Sequence, residues 1–399
     1  MISEVKKPLD EEFELWDEYV RIHPESTVYH LSGWKTIIEK SYGHKSYYLL
    51  ALRDMESNKT TVVQLQSGPT KNGERLSAEN SNMKVVGILP LFHLKHFIFG
   101  NSLISLPFFD TGGILADDED SEHALLSETM RIGRDLNVSQ IELRHITPLS
   151  CLDNHDQQKK EGENGPPLSI TFEGAECFGH TRSHKVRMVL DLPESSEALM
   201  KSFKAKLRSQ IKKPLKEGLS VRTGNMELLN DFYKVFSINM RDLGSPVHSR
   251  KFIQNVLDIF PDHTRILNVY KGDQPLACSL VVGFKDILEN PWASALREYS
   301  ALSPNMLLYW AMMEHACNHG FRYFDFGRSS PDEGTYKFKE QWGAKPTPLY
   351  WYYVGLNGNS NKWSSPEKSQ YEKAVKYWQK LPVPLTRLIG PGIRKYIGL

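Results

Sequence analysis

Short apolar runs alternate with longer amphipathic segments along the chain, and this alternation predicts strands interleaved with helices. In the first half, the predicted strands are Tyr47–Leu52, Val85–Leu91, Ser102–Leu106, Gln140–His145 and Lys185–Leu190, and the predicted helices are Leu15–Ile22, Gly33–Tyr42 and Ser121–Asn137. In the second half, the predicted strands are Arg265–Tyr270, Ala277–Phe284, Tyr323–Phe326 and Leu349–Val354, and the predicted helices are Leu199–Glu217, Met226–Met240, Arg250–Phe260 and Asn305–His319. This order indicates two mixed α/β domains.

The predicted domains cover residues 11–192 and 193–356 of the 399-residue chain, and residues 357–399 are predicted to be a linker followed by one or two helices. Two stretches within the first domain, residues 53–84 and 153–167, are rich in polar residues. Such stretches are typical of exposed insertions. Val62-Val63 in the first of them is compatible with the start of a hairpin.

Charge and composition exclude several classes of protein. The chain has 49 basic and 48 acidic residues, a balance that excludes a histone-like basic protein. Its longest apolar run, Met306–Met313, is far shorter than the roughly 20 residues of a membrane-spanning helix. The polar amino terminus has no apolar signal region, and the four cysteines are widely spaced. We therefore expect a cytoplasmic protein, with peripheral contact to the inner membrane face as an open possibility.

A series of short motifs follows in a characteristic order, and the last third of the chain is the most specific. The motifs are Leu31-Ser32-Gly33-Trp34, Tyr42-Gly43-His44, Gly87–Leu91, Ser105–Phe108, Gly112-Gly113, Lys206–Lys213, Arg241–Ser249, Phe324–Ser329 and Thr335–Ala344. In this order the chain resembles the FemAB-related proteins, particularly the branch associated with PEP-CTERM/exosortase polysaccharide loci.

The resemblance implies two tandem domains of the acyl-CoA N-acyltransferase (GNAT) type. It also implies an acyl or aminoacyl transferase that forms an amide on an amine of a cell-envelope precursor, either peptidoglycan or exopolysaccharide. No cofactor is expected, because the acyl donor, aminoacyl-tRNA or acyl-CoA, is a co-substrate. No metal is expected either, because the spacing of Cys151, His155, Cys177, His180 and His184 matches no standard zinc site. The chain lacks the long helix pair with which the better-known aminoacyl ligases grip tRNA.

Three residues near the end of the second domain are the predicted catalytic groups. Lys339 follows Phe338 in the family's Phe-Lys pair, which is associated with charge stabilisation at the transfer centre. Arg328 follows a strand end, where ligands gather in α/β sheets, although it could instead pair with Asp325 or Asp332. Asp325 lies on an apolar strand face and is expected to accept a proton, to orient a lysine or to hold the adjacent turn.

Six further residues are weaker candidates for substrate binding. Asn305 is also suited to cap the helix that follows it, and His248 lies in a loop where a histidine would titrate near neutral pH. The remaining candidates are Lys337, Lys40, Arg208 and Lys212. Trp34, near Lys40, is expected to be a packing residue.

The segment Lys201–Lys216 carries seven cations and no acidic residue. Phe203, Leu207, Ile211 and Leu215 repeat every four residues, so one edge should pack while the remainder stays cationic. Because like charges repel, the segment suggests an anionic partner: tRNA, a nucleotide-linked sugar diphosphate or a lipid headgroup. Pro214 is expected to kink or end this helix.

Two alternatives to the transferase of envelope precursors stay open. One is an acyl-CoA-dependent N-acetyltransferase, although the usual phosphate-loop pattern matches only Arg387–Gly392 in the tail. The other is a non-catalytic module that binds an anionic polymer through Lys201–Lys216. The tail, which mixes apolar and basic residues, either packs on its own domain or lies on a membrane surface.

Overall fold

The computed structural model describes residues 11–65, 82–152, 167–172, 175–182, 185–331, 333–356 and 368–398. The helices are α1 (Glu11–Ile22), α2 (Gly33–Tyr42), α3 (Glu119–Asp135), α4 (Ser196–Ser202), α5 (Ala205–Lys216), α6 (Leu229–Leu243), α7 (Arg250–Ile259), α8 (Pro304–Asn318), α9 (Gly334–Glu340), α10 (Lys368–Gln379) and α11 (Val383–Arg394). The strands are β1 (Lys45–Asp54), β2 (Thr60–Leu65), β3 (Met83–His96), β4 (Gly100–Ile104), β5 (Leu115–Ala116), β6 (Gln140–His145), β7 (Pro167–Phe172), β8 (Ala175–Arg182), β9 (Val186–Asp191), β10 (Leu219–Gly224), β11 (Thr264–Lys271), β12 (Gln274–Phe284), β13 (Ile287–Ala295), β14 (Tyr323–Ser329), β15 (Lys345–Pro348) and β16 (Tyr350–Gly355).

These strands form two mixed sheets. The first sheet has the order β2-β1-β3-β4-β6-β16-β8-β7, with β5 paired to β3, and the second has the order β10-β11-β12-β13-β14-β9-β15. Within the described residues, each sheet contains a single parallel pair, β4 with β6 and β13 with β14. The predicted mixed α/β architecture is therefore confirmed.

The two sheets exchange strands across the predicted domain limits. Strand β9, which precedes residue 192, pairs with β14 and β15 in the second sheet. Strand β16, which ends just before residue 356, pairs with β6 and β8 in the first sheet. The predicted limits themselves stay a prediction, but the exchange ties the two halves together.

A continuous apolar core joins the halves where α2 meets α7. Trp34 is fully buried, as expected for a packing residue, and its ring lies 4.4 Å from that of Phe109 and 5.1 Å from that of Phe260. Gly33 permits this approach, because a Cβ there would lie 2.6 Å from the Phe260 ring.

Local chemistry explains where the observed elements differ from the predicted ones. The predicted helix Leu199–Glu217 is two helices, since Lys204 has an extended backbone (ψ 149°). Pro214 lies inside α5, which continues to Lys216, and Leu215 is exposed. A four-residue repeat drifts by about 40° per step around a helix, so Leu215 has rotated away from the packed edge.

The polar stretch predicted at residues 53–84 contains β2, and Val62 pairs with Ala51 of β1, so the hairpin at Val62-Val63 is confirmed. Residues 66–81, most of the stretch 153–167, and residues 357–367 of the predicted linker lie outside the described residues. The tail supplies α10 and α11. No helix within the described parts of the chain combines the length and apolarity needed to cross a bilayer.

Candidate active site

A cavity of about 300 Å³ opens where the parallel strands β13 and β14 diverge. The two strands pair only between Ile287–Glu289 and Tyr323–Asp325. Pro291, which lacks an N–H, and Gly327, at φ 77°, occupy the irregular segments that follow. The backbone separates there, and side chains from both strands line the opening.

Lys339 projects from α9 into this cavity and is only 7% exposed. Its neighbour Phe338 anchors the helix by packing edge-on against Tyr309, with the ring centroids 4.9 Å apart. The Lys339 ammonium donates hydrogen bonds to the carbonyl oxygens of Gly327 (2.9 Å) and Arg328 (2.8 Å). Because an ammonium has three donors, one proton remains for a ligand. Burial lowers the pKa of Lys339 to about 8.

Two buried carboxyl groups lie opposite each other in the parallel register, Glu289 on β13 and Asp325 on β14. Arg187 of β9 forms an ion pair with Asp325 and lies 3.8 Å from Glu289. Asp325 also accepts a hydrogen bond from the Gly327 N–H at 2.7 Å. This bond holds the adjacent turn, which is one of the three roles predicted for Asp325.

Glu289 is the less restrained of the two carboxyl groups. Its Oε1 is buried and accepts no hydrogen bond from the described residues. Burial raises the pKa of Glu289 to about 7, with Arg187 opposing this shift and Asp325 reinforcing it. A carboxyl group with such a pKa can exchange a proton near neutral pH.

The first half of the chain closes the cavity through Asp110. Arg328 lies 3.3 Å from the Asp110 carboxylate, and its guanidinium lies 5.0 Å from the centroid of the Trp351 ring. Of the two partners expected from the sequence, Asp325 is not the residue with which Arg328 pairs. The Asp325 carboxylate binds Arg187 instead, and Asp332 lies outside the described residues. The cavity thus brings together Lys339, Asp325 and Arg328, the three predicted catalytic residues.

Lys337 lies on the other side of α9, in a groove of about 990 Å³ between α9 and the α4–α5 segment. Lys204 and Lys206 also line this groove, and the buried Trp342 indole N–H at its base has no partner among the described residues. The candidates Arg208 and Lys212 lie on α5 outside the lining. No ion pair joins a cation of α5 to a carboxylate in the described parts of the chain.

The remaining three candidates lie away from both cavities. His248 does not titrate near neutral pH as predicted, because it is 1% exposed and bonded to Tyr42 and Arg394. Burial, followed by the charge of Arg394, holds the pKa of His248 well below its usual value. Asn305 does not cap α8, since the helix begins at Pro304 with Ser303 as its N-cap. Lys40 is exposed on α2.

Sequence reasoning missed Glu289, Arg187 and Asp110. The strand that carries Glu289 was not predicted, because its Glu-Asn-Pro sequence is unfavourable for a strand. Asp110 lies two residues after the Ser105–Phe108 motif, which was the available signal for it. Arg187 had no comparable signal, since its role depends on the pairing of β9 with β14.

Comparison with known proteins identifies the fold. Residues 201–340 match the family described as an acetyltransferase (GNAT) domain. No curated protein matches the chain. Among solved structures, the chain is similar to FemX, with a TM-score of 0.57 and 13% identity over 85% of this chain and 95% of FemX.

Two further solved structures are similar over most of their length. A tandem GNAT protein from the clavulanic acid biosynthesis pathway has a TM-score of 0.46 and 11% identity over 87% of this chain and 95% of that protein. L-PGS from Bacillus licheniformis has a TM-score of 0.45 and 13% identity over 79% of this chain and 87% of that protein.

The predicted fold class, tandem GNAT-like domains with mixed sheets, flanking helices and a helical C-terminal tail, is confirmed. The Arg387–Gly392 match to the phosphate-loop pattern lies within α11 and is therefore not a loop. The resemblance to the PEP-CTERM/exosortase branch stays a prediction.

Proposed function

We propose that this protein is an acyltransferase that joins an activated acyl group to an amine within the cavity between β13 and β14. The observation that carries this proposal is the buried Lys339 ammonium, which faces a cavity that also holds the unbonded carboxyl oxygen of Glu289. A fixed cation stabilises a developing oxyanion, and a carboxylate with a raised pKa removes a proton from an amine.

The transfer needs no covalent intermediate. The amine nitrogen attacks the acyl carbon, a C–N bond forms, and the carbonyl oxygen becomes an oxyanion that Lys339 stabilises. Glu289 takes the proton from the amine. Collapse of the intermediate then breaks the bond to the oxygen or sulfur of the donor, which receives that proton. Asp325 and Arg187 keep Glu289 in place, and Arg328 binds the polar part of a substrate.

The donor that we propose is linked to an anionic carrier that lies along α5 and the adjacent groove. The uncompensated cations of α5 support a polyanionic carrier such as aminoacyl-tRNA. The acceptor that we propose is an amine of a peptidoglycan or exopolysaccharide precursor, as the FemAB-related resemblance implies. Acyl-CoA is the second donor to test, because residues 201–340 match an acetyltransferase family.

The purified full-length chain should be incubated with labelled aminoacyl-tRNA or acyl-CoA and with amine-bearing peptide and amino-sugar acceptors. We expect a new amide product, detected by mass spectrometry, with one donor class. A chain that binds anionic polymers but forms no amide with any donor would instead be a non-catalytic binding module.

The rate should depend on pH in a bell-shaped manner. Glu289 must lose its proton to act as a base, so kcat should rise as the pH passes about 7. Lys339 must keep its proton, so kcat should fall as the pH passes about 8. Stopped assays between pH 5.5 and 9.5, a range chosen to span both values, provide the measurement. A flat profile would contradict both assignments.

Reversal of charge on α5 should weaken donor binding. In the double variant Lys206→Glu/Lys212→Glu, we expect the KM for the donor to rise roughly tenfold at low salt, with kcat nearly unchanged. The increase should shrink at high salt, because ions screen exposed charges. Lys59→Glu/Lys251→Glu makes the same change in net charge at exposed positions elsewhere, in the β1–β2 turn and on α7, and is the matched control. An equal effect in the control would exclude α5 as the donor-binding surface.

A further inference from the structure

An apolar surface stands out where the β3–β4 hairpin lies against the tail. The hairpin tip is Phe97–Phe99, in which Phe97 is 91% and Ile98 68% exposed. The backbone N–H groups of Ile98 and Phe99 donate to the His96 ring, which fixes the turn with these side chains outward. Large apolar side chains are rarely exposed side by side unless they meet a partner.

Helix α11 continues the surface. Thr386 and Gly390 pack against the protein, so the helix is attached to its own domain, as one of the predicted alternatives requires. The opposite side presents an apolar stripe, in which Leu388 is 78% exposed and Leu385 and Ile389 are also exposed.

Tyr396 connects the tip to this stripe. It lies in the turn that directly follows α11. Its ring lies 4.3 Å from the His96 ring and 6.2 Å from the Phe99 ring. We call the combined region the tip–tail surface, and it consists of Phe97, Ile98, Phe99, Leu385, Leu388, Ile389 and Tyr396.

The charge of the tail indicates which kind of partner this surface binds. Residues 373–398 contain six cations and no acidic residue. Arg387 and Arg394 bond to Ser237 and His248, whereas Lys373, Lys376 and Lys380 are exposed. The tip is the exposed turn between β3 and β4. An exposed apolar tip beside an amphipathic helix and exposed lysines matches a bilayer with anionic headgroups, into which aromatic and aliphatic side chains insert.

We propose that the tip–tail surface binds anionic phospholipid membranes peripherally. Phe97 and Ile98 enter the boundary between headgroups and acyl chains, the stripe of α11 lies along it, and the lysines of the tail attract the anionic headgroups. This binding does not depend on the acyltransferase activity proposed above.

Vesicle flotation with the full-length chain tests the proposal. The probes are vesicles of phosphatidylcholine alone and vesicles of phosphatidylcholine with about one third phosphatidylglycerol, an anionic fraction chosen to give a negative surface potential. We expect binding to the anionic vesicles that weakens as salt is raised, and at least tenfold weaker binding to the neutral vesicles. The double variant Phe97→Ser/Ile98→Ser should lower the partition into anionic vesicles at least tenfold, because two exposed apolar anchors are removed.

Met55→Ser is the matched control. Met55 is 60% exposed in the β1–β2 turn, and the β1–β3 register places it at the opposite end of β3 from the tip, roughly 40 Å away. It should bind vesicles as the unaltered chain does, and circular dichroism melts should agree among all three proteins. The proposal is overturned if the unaltered chain ignores anionic vesicles, if the double variant binds equally well, or if Met55→Ser loses as much binding. It is also overturned if the double variant only abolishes a dimer seen by light scattering.

Discussion

Replacement of Lys339 with methionine is expected to lower kcat for amide formation by about 10²–10³-fold, the usual cost of removing a preorganised oxyanion donor. Methionine has a similar length and no charge, so the Phe338 anchor and the cavity walls should stay in place. The carbonyl oxygens of Gly327 and Arg328 lose their donor, but burial of the ammonium also ends. The melting temperature should therefore change little.

Turnover should be measured beside a thermal melt for each protein. Lys251→Met, which removes an exposed lysine from α7, is the matched control and should keep full activity. If Lys339→Met retains the activity of the unaltered chain, Lys339 has no role at the transfer centre. If its melting temperature falls sharply, a loss of activity would report on folding and not on chemistry.

Glu289→Gln should lower kcat by roughly 10²-fold or more, since a general base contributes about 10²–10⁴-fold. The variant should also lose the rise in rate near pH 7, because glutamine does not titrate. Glutamine keeps the size of the side chain beside Arg187, so the cavity should be preserved. A full pH–rate profile distinguishes this result from a merely slower enzyme.

At pH 8 the Glu289→Gln variant should have a higher free energy of unfolding than the unaltered chain, although its kcat is lower. In the unfolded chain the Glu289 carboxyl titrates near pH 4.3, whereas burial raises its pKa to about 7 in the folded state. Between these values the folded state binds more protons than the unfolded state, so the free energy of unfolding contributed by Glu289 falls as the pH rises. The glutamine variant avoids this decline and should unfold at higher denaturant concentration than the unaltered chain at pH 8.

Glu314→Gln on α8 is the control for both measurements. Glu314 also has a raised pKa because of burial, but it does not line the cavity. Its variant should keep the activity and the rise near pH 7. A Glu289→Gln variant that retained this rise would identify another group as the base.

The hydrophobic pattern predicted a helix or strand correctly where the residues of that segment determine its structure. The strand Gln140–His145 and the helix Gly33–Tyr42 were predicted with their observed limits, because periodicity and turn residues lie within the segments. The same local reading failed at β13, where Asn290-Pro291 contradicts strand propensity and pairing with β12 and β14 overrides it.

The residues of the candidate site also differ in whether the sequence alone could identify them. Lys339 and Arg328 were identifiable because each lies in a short motif, and the cationic character of Lys201–Lys216 is visible in its composition. His248 was misread because a loop position says nothing about the aromatic shell of Tyr42, Phe108 and Phe252 that buries it.

The sequence alone determined the alternation of helices and strands, the basic segment and two of the cations at the site, since each depends on neighbours along the chain. Only the tertiary structure decided that Glu289 lies opposite Asp325, that Arg187 lies between them and that Asp110 closes the cavity from the other half. The physical reason is that burial and charge proximity set the pKa of a group, and both arise from strands and loops that are distant in sequence. The tip–tail surface also depends on the tertiary structure, because Tyr396 contacts the hairpin only after the tail has packed.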